Sequence, residues 1–330
     1  MDFNNKSILI TGGAGFIGSS LAFYFQEHFP DSHIVVFDCF RNENRFSNGN
    51  LKSFGHFNNL ISFKGDVICG NINSKDDLRK LQNYKFDYIF HQAAISDTRI
   101  YDQEIIMQTN VNSFYDILEL SNKNNAVLVY ASSAATYGNS TSPQEIGKES
   151  PQNPYGFSKY MMDQIACRYA NTHKHVLIVG LRFFNVFGPR ETYKEKTSSM
   201  ILQLGHQILK NNPPKLFKNS ENILRDFIYI EDVIQANILA SKAQKSGVYN
   251  VGTALPRSFK EVADVLLKEF NSSLSIEYFK NPYSDYQNHT QADISLTQKD
   301  LGFKPNVTLE KGIKLYSKEI IRTLNITNND

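Results

Sequence analysis

"ITGGAGFIGSSLA", residues 10–22, decides the fold. A short apolar run, 7–10, leads into it, and a stretch with helical spacing, 16–28, leads out, so the glycines stand at a strand-to-helix turn. Gly13-Ala14-Gly15-Phe16-Ile17-Gly18 spells G-x-G-x-x-G, with Gly12 just before it. In that pattern Gly13 makes the tight turn and Gly15 lets backbone N–H groups approach a pyrophosphate. Gly18 then lets the helix pack on the strand. The helix N-terminus adds partial positive charge for the anion. Asp38 follows Gly18 by twenty positions, at the end of the second apolar run, where a carboxylate can accept the hydroxyls of an adenosine ribose. Together these features predict a dinucleotide site; the alternative is a glycine-rich structural turn. Arg41 and Arg45 come soon after Asp38, and arginine binds phosphate well, so spacing alone leaves NAD and NADP open.

The pattern extends outward from that turn. Apolar runs at 33–37, 60–63, 88–91, 126–130 and 176–181 read as buried strands. Helical spacing fills 75–83, 103–123 and 156–172. Strands alternating with helices predict an α/β chain with a doubly wound parallel sheet, the Rossmann arrangement. Beyond about residue 182 the pieces shorten and mix: helices at 198–211, 231–243 and 258–270, and strands at 215–217, 225–230, 247–252 and 275–279. The expected division is a dinucleotide-binding part, 1–181, and a smaller substrate-binding part, 182–330, with some segments returning to the main sheet.

Bulk properties narrow the function classes. The 330 residues carry a formal charge of +2, which gives no electrostatic support for a nucleic-acid or membrane partner. Cys39, Cys69 and Cys167 form neither a CxxC pair nor a disulfide framework, which fits a reducing cytoplasm. The N-terminus carries no basic, then apolar leader, and no run approaches the roughly 18 to 20 apolar residues of a membrane span. No His/Cys/Asp/Glu grouping has metal-ligand spacing.

Two further motifs carry chemistry. "YASSAATYG" (130–138) puts Ser133 at the end of the fifth strand, on the edge where doubly wound sheets hold ligands. "NPYGFSKYMMD" (153–163) puts Tyr155 and Lys159 at i and i+4, on one face of a helix. An incidental Tyr and an exposed Lys would be the plain reading. With the glycine turn and Ser133, however, the set resembles the extended short-chain dehydrogenase/reductase family. The resemblance implies that Ser133, Tyr155 and Lys159 stand beside a nicotinamide. Removing hydride from an alcohol needs a base for its proton, and a phenol of reference pKa about 10 is too weak near neutrality. An ammonium about 4 Å away, at an effective dielectric near 20, is worth roughly 4 kcal/mol, or about three pKa units. The expectation is therefore a phenol titrating near 7.

Within that family, dehydratases carry Asp-Glu just after the active hydroxyl residue; here Ala134-Ala135 stand there, which leaves redox or epimerisation. "LRFFNVFGPRETYKEKTSSM" (181–200), "PKLFKNSENILRDFIYIEDV" (214–233) and "DYQNHTQAD" (285–293) resemble the branch that epimerises C6 of an ADP-linked heptose for lipopolysaccharide core synthesis. That resemblance implies NADP as the held cofactor, with NAD as the alternative, and a homo-oligomer. It also implies a second proton-transfer group, Lys194 in "GPRETYK"; the plain alternative is a solvated loop lysine. It implies cofactor contacts from Phe16, Ile17, Asp38, Cys39, Arg41, Arg45, Lys64, Asp66, Gln92, Ala93, Ala94, Ile95, Ser96 and Asn110. Substrate contacts are implied for Asn185, Val186, Ser199, His206, Phe217, Lys218, Asn219, Ser220, Arg225 and Tyr286. For Arg225 the alternative is a surface salt bridge to Asp226 or Glu221, and for His206 an ordinary helix histidine. Two departures are visible: Cys39 replaces an Asn, and "EKT" (195–197) replaces a Gly. The competing functions are a 4-epimerase or dehydrogenase of another nucleotide sugar, and a non-catalytic dinucleotide-binding redox sensor.

Overall fold

The computed structural model describes residues 2–282, 287–324 and 326. The first half runs β1 (Ser7–Thr11), α1 (Phe16–His28), β2 (His33–Asp38), β3 (Asp66–Cys69), α2 (Lys75–Arg79) and β4 (Tyr88–His91). It continues through α3 (Gln103–Ile106), α4 (Ser113–Asn124), β5 (Val127–Ser133), α5 (Pro154–Thr172) and β6 (Ile178–Phe183). The second half runs β7 (Asn185–Phe187), α6 (Met200–Leu209), β8 (Lys215–Phe217), β9 (Leu224–Arg225), β10 (Phe227–Tyr229), α7 (Ile230–Ala240) and β11 (Gly247–Val251). After these come β12 (Arg257–Ser258), α8 (Phe259–Glu269), β13 (Glu277–Phe279), α9 (Ser295–Leu301) and α10 (Leu309–Thr323).

Seven strands form one parallel sheet in the order β11-β6-β5-β4-β1-β2-β3. Its strands are apolar on both faces because helices cover both, and the two faces feed separate apolar cores. The order turns back between β1 and β4, so the carboxyl ends of these strands diverge and open a crevice there. The other strands pair in twos: β10 with β7, β12 with β9, and β13 with β8.

One expected strand is absent. Residues 57–60 form a 3₁₀ turn, and the third strand of the chain is Asp66–Cys69 instead. The apolar run "LISF" was misleading because Leu60 and Phe63 pack at a loop corner and Ile61 is exposed, while β3 is an edge strand with polar and exposed positions. The helix expected over 103–123 is broken by a π-helical turn at Met107–Asn112, between α3 and α4. Strand β11, read from the second half of the chain, closes the main sheet beside β6.

Candidate active site

The crevice at the strand ends is a cavity of about 620 Å³. Its floor is the glycine turn. Gly12, not Gly13, takes the left-handed conformation, at φ 68°, and a Cβ there would lie 2.7 Å from Ala93 N. Gly13 instead packs against Val36 of β2 and stays off the cavity wall. A Cβ on Gly18 would fall 2.2 Å from Gly12 O, so the first turn of α1 rests directly on the loop. A Cβ on Gly15 would meet only Gly12 O, at 3.2 Å, and otherwise project into open space. That bare, N–H-lined cradle at the start of a 13-residue helix fits a pyrophosphate. The Asp38 carboxylate is buried beside it, accepting from Ala14 N at 3.0 Å and Phe40 N at 2.8 Å. Cys39, Gln92, Ala93, Ala94, Ile95 and Ser96 continue the wall.

Helix α5 brings in Tyr155 and Lys159. Asn153 caps it, accepting from Gly156 N at 2.8 Å, and Pro154 occupies its first turn. Gly156 lacks the Cβ that would collide with Ala135 O, so the helix start sits against the turn after β5. This close approach sets Tyr155 beside Ser133, and both face the cavity with Lys159. Lys159 is buried and its Nζ donates to Ala131 O at 2.7 Å. Burial pulls its pKa down to about 8, with Asp163 opposing. Burial pushes the Tyr155 phenol up, and the Ser133 hydroxyl pulls it only partway back. The expected phenol near 7 is thus not a property of the chain by itself. Desolvation dominates at the phenol, and the Lys159 ammonium is committed to a backbone carbonyl.

One turn further along α5, Asp163 anchors the helix to the sheet. It accepts from Arg182 Nε at 2.8 Å, Tyr130 Oη at 2.9 Å and Ser132 Oγ at 3.0 Å. Arg182, on β6, is buried, also pairs with Glu149, and lies 5.0 Å from the Tyr137 ring centre. His91, at the end of β4, is buried with Nδ1 2.7 Å from Thr11 Oγ1. Burial, and next the Lys159 charge, hold its pKa near 3 (about 3), so it stays neutral.

Lys194, in the loop after β7, also lines the cavity. Its Nζ stands 5.7 Å from the Phe16 ring centre, just above the glycine turn. Burial lowers its pKa, opposed by the Glu191 and Asp97 carboxylates. The loop is not a solvated run of charges. Glu191 is fully buried and accepts from Ser199 N at 2.6 Å and Ser199 Oγ at 2.7 Å. Ser199 in turn caps α6 and lines the cavity, as do Asn185 and Val186. Arg225 also lines it, donating to Leu224 O at 2.8 Å and lying 5.6 Å from the Phe259 ring centre. It makes no salt bridge to Asp226, whose carboxylate is taken by Thr253, Ala254 and Ala292.

Several expected contacts lie elsewhere. Lys64 and Asp66 are at the amino end of β3, about 10 Å from its cavity end, where Asp66 pairs with His33. The carboxyl end of β3 presents Asn71 and Ile72 instead. A strand placed at 60–63 hid them; the "DVIC" run ahead of Gly70 was the available signal. Asn110 is buried but off the wall, bracing Ile95 through two hydrogen bonds of 2.9 Å and reaching Ser158 at 2.9 Å. Arg41 and Arg45 turn toward Glu195 rather than the cavity. His206, two turns into α6, meets Thr323 of α10 at 3.2 Å, because only the first turn of α6 reaches the cavity. Phe217 packs on Phe279 in the β8–β13 pair, Lys218 N donates to Phe279 O, and none of residues 217–220 lines the cavity. Asn219 is left-handed at φ 63° and Ser220 is buried. Tyr286 lies outside the described residues. Sequence reasoning also missed Asp97, Arg99, Ser53 and Gly55, all on the wall.

Among the described residues, no cluster of three or more His, Cys, Asp or Glu could hold a metal ion. None of their helices is long and apolar enough to cross a membrane.

Comparison with known proteins bears on this geometry. The sequence pattern of the NAD dependent epimerase/dehydratase family matches residues 8–252. The ADP-L-glycero-D-manno-heptose-6-epimerase of Brachyspira hyodysenteriae is 36% identical over 318 residues, covering 94% of this chain and 96% of that protein. The crystal structure of the Helicobacter pylori ADP-L-glycero-D-manno-heptose-6-epimerase superposes with a TM-score of 0.88 at 50% identity, covering 97% of each chain. A UDP-glucuronic acid 4-epimerase from Bacillus cereus, solved with UDP-glucuronic acid and NAD, gives 0.81 at 26% identity, covering 96% of this chain and 99% of that one.

Proposed function

Because this chain belongs to the NAD dependent epimerase/dehydratase family, we infer that it is an isomerase of nucleotide sugars. We infer further that it converts ADP-D-glycero-D-manno-heptose to ADP-L-glycero-D-manno-heptose by inverting C6, as a step toward the lipopolysaccharide core. The observation that supports this reading is that Tyr155 and Lys194, which we assign as the two proton-transfer groups, line one cavity together with the glycine turn. Identity points the same way: 50% with a heptose 6-epimerase structure against 26% with a 4-epimerase. Ala134-Ala135 lack the acid and base of a dehydratase.

The residues present fit a nicotinamide dinucleotide. Gly12, Gly15 and the first turn of α1 would hold its pyrophosphate, and Asp38 and Cys39 would face its adenosine ribose. When bound, the nicotinamide supplies a reversible hydride acceptor, so oxidation and re-reduction leave no net redox change. NADP is the form we assign, on the resemblance to the heptose-epimerising branch; NAD is the alternative.

The chain's own residues handle the proton. Ser133 and Tyr155 address the sugar hydroxyl from one side; the lysine at 159, charged below about pH 8, favours the phenolate as it forms. Lys194 addresses the same oxygen after the sugar carbonyl has turned. Burial weakens its hold on the proton, so one amine can both give and take it. A second group suits inversion, since the carbinol oxygen points in different directions before and after the carbonyl turns. Arg225 offers a fixed fork of donors to the substrate diphosphate. The reading extends to a cytoplasmic homo-oligomer; the three unpaired cysteines are in keeping with a reducing compartment.

The test is to identify by mass the dinucleotide released on denaturation, then to follow ADP-heptose by NMR without added cofactor. Inversion at C6 is expected. Inversion at C4 of another sugar, or stoichiometric release of reduced cofactor, would replace this reading with the 4-epimerase or dehydrogenase. Tight dinucleotide binding with no turnover of any nucleotide sugar would replace it with the redox sensor.

A further inference from the structure

The lysine loop leans on the segment that follows Asp38, and it does so through the residues on either side of Lys194. Tyr193 stacks on His56 with ring centres 3.7 Å apart and planes 3° from parallel. The Arg41 guanidinium lies 5.8 Å from the Tyr193 ring centre. On the other side, the Glu195 carboxylate meets Arg41 at 3.6 Å and Arg45 at 3.1 Å, with a second Arg45 contact of 3.4 Å. Glu195 sits at φ 50°, ψ −127°, backbone that suits glycine and strains a side chain. The position therefore holds a carboxylate at a conformational cost, and that carboxylate is shared between two arginines.

The segment that carries the two arginines is tied to the adenosine end of the cavity, although neither arginine lines the wall. Arg41 N donates to Gly55 O at 2.8 Å, and a Cβ on Gly55 would strike the Asp38 carboxylate at 2.2 Å, which shows how closely the segment wraps that acid. A 2′-phosphate on the ribose held by Asp38 would arrive beside this pair and compete with Glu195 for it. A plain ribose hydroxyl would not.

We propose that Glu195 is a specificity-determining residue: its carboxylate occupies the Arg41–Arg45 pair against a cofactor 2′-phosphate, and so links the choice between NADP and NAD to the loop that carries Lys194. The inference rests on the reading that the cavity takes a nicotinamide dinucleotide. NADP releases the latch by taking the arginines; NAD leaves the loop tied down. Removing the carboxylate takes one counter-charge away from the two guanidiniums and leaves NAD binding as it was.

The experiment uses the full chain stripped of dinucleotide, as wild type, Glu195→Gln and Glu195→Gly. Dissociation constants for NADP and for NAD are measured by calorimetry at low and high salt, with melting temperatures to verify folding. In both variants the preference for NADP over NAD should rise about five-fold at low salt and shrink as salt is added. A preference that stays the same or falls overturns the proposal. Hydrogen exchange of amides 192–197 gives a second readout. In the wild type these amides should exchange more slowly with NAD than with NADP, and in Glu195→Gln at one rate with either. Equal wild-type rates would overturn the link to the loop. If the wild type binds neither dinucleotide, the cavity reading itself falls; if it binds both and the preference does not move, only this inference falls.

Discussion

At the scale of the residue, the proposed chemistry rests on two side chains and what burial does to them. Tyr155 has no strong acidifying neighbour in the chain alone, and Lys194 is held in a pocket that weakens its grip on a proton. Tyr155→Phe should lower turnover by about a thousand-fold while the melting temperature stays close to wild type, since the ring remains packed. Lys194→Met should lower turnover by about a hundred-fold or more, with dinucleotide binding retained. Steady-state kinetics beside thermal melts would check both; full activity in the lysine variant would remove the second proton-transfer group. Both residues were legible because their motifs are local: Tyr155 and Lys159 share a helix face, and Lys194 follows "GPRE". Glu191 and Glu195 were not. In sequence they make Lys194 look solvated, and only the fold shows one carboxylate buried under Ser199 and the other spent on two arginines. His206 fails for the converse reason, as helical rise carries it past the cavity to α10.

At the scale of the element, α5 is the part on which the site depends. Its cap, its Gly156 and its Asp163 fix the start, the closeness and the rotation of the helix. Gly156→Val should push the helix from Ala135, with a stability cost of about 1–3 kcal/mol and a fall in turnover, measurable by denaturant titration and kinetics. Arg182→Met should be worse for the fold, about 3–5 kcal/mol, because it leaves Asp163 and Glu149 buried without their cation. Helical spacing and the i, i+4 pair of Tyr155 and Lys159 made this helix readable. Asp163 was not, because its partners come from β5 and β6. The edge strand β3 was misread for a related reason: burial, not apolar content, defines a strand in the middle of a sheet, and an edge strand has little of it.

Over the whole molecule, alternating apolar runs and helical spacing were enough to announce a parallel sheet, and the glycine turn located its ligand edge. The second half was less legible because its strands are only two to five residues long and are set by distant partners, as β9 is by β12. Buried titratable groups give the molecule a pH signature. His91 is neutral in the folded chain down to about 3, against about 6.5 when unfolded, so the unfolded state binds the extra proton between those values. Stability from this group is whole above about pH 6.5 and is lost as the pH falls toward 3. Lys159, depressed to about 8 from 10.5, behaves alike at higher pH: stability rises between about 8 and 10.5. Denaturant midpoints across pH should show the acid loss in the wild type and a shallower loss in His91→Gln.

The most direct measurement uses ADP-D-glycero-D-manno-heptose carrying deuterium at C6, turned over in ordinary water and followed by NMR. Oxidation and return within one cavity predict the L-glycero product with deuterium still on C6, and no such product from a Tyr155→Phe, Lys194→Met double variant. Loss of the deuterium to solvent, or inversion by the double variant at the wild-type rate, would contradict it.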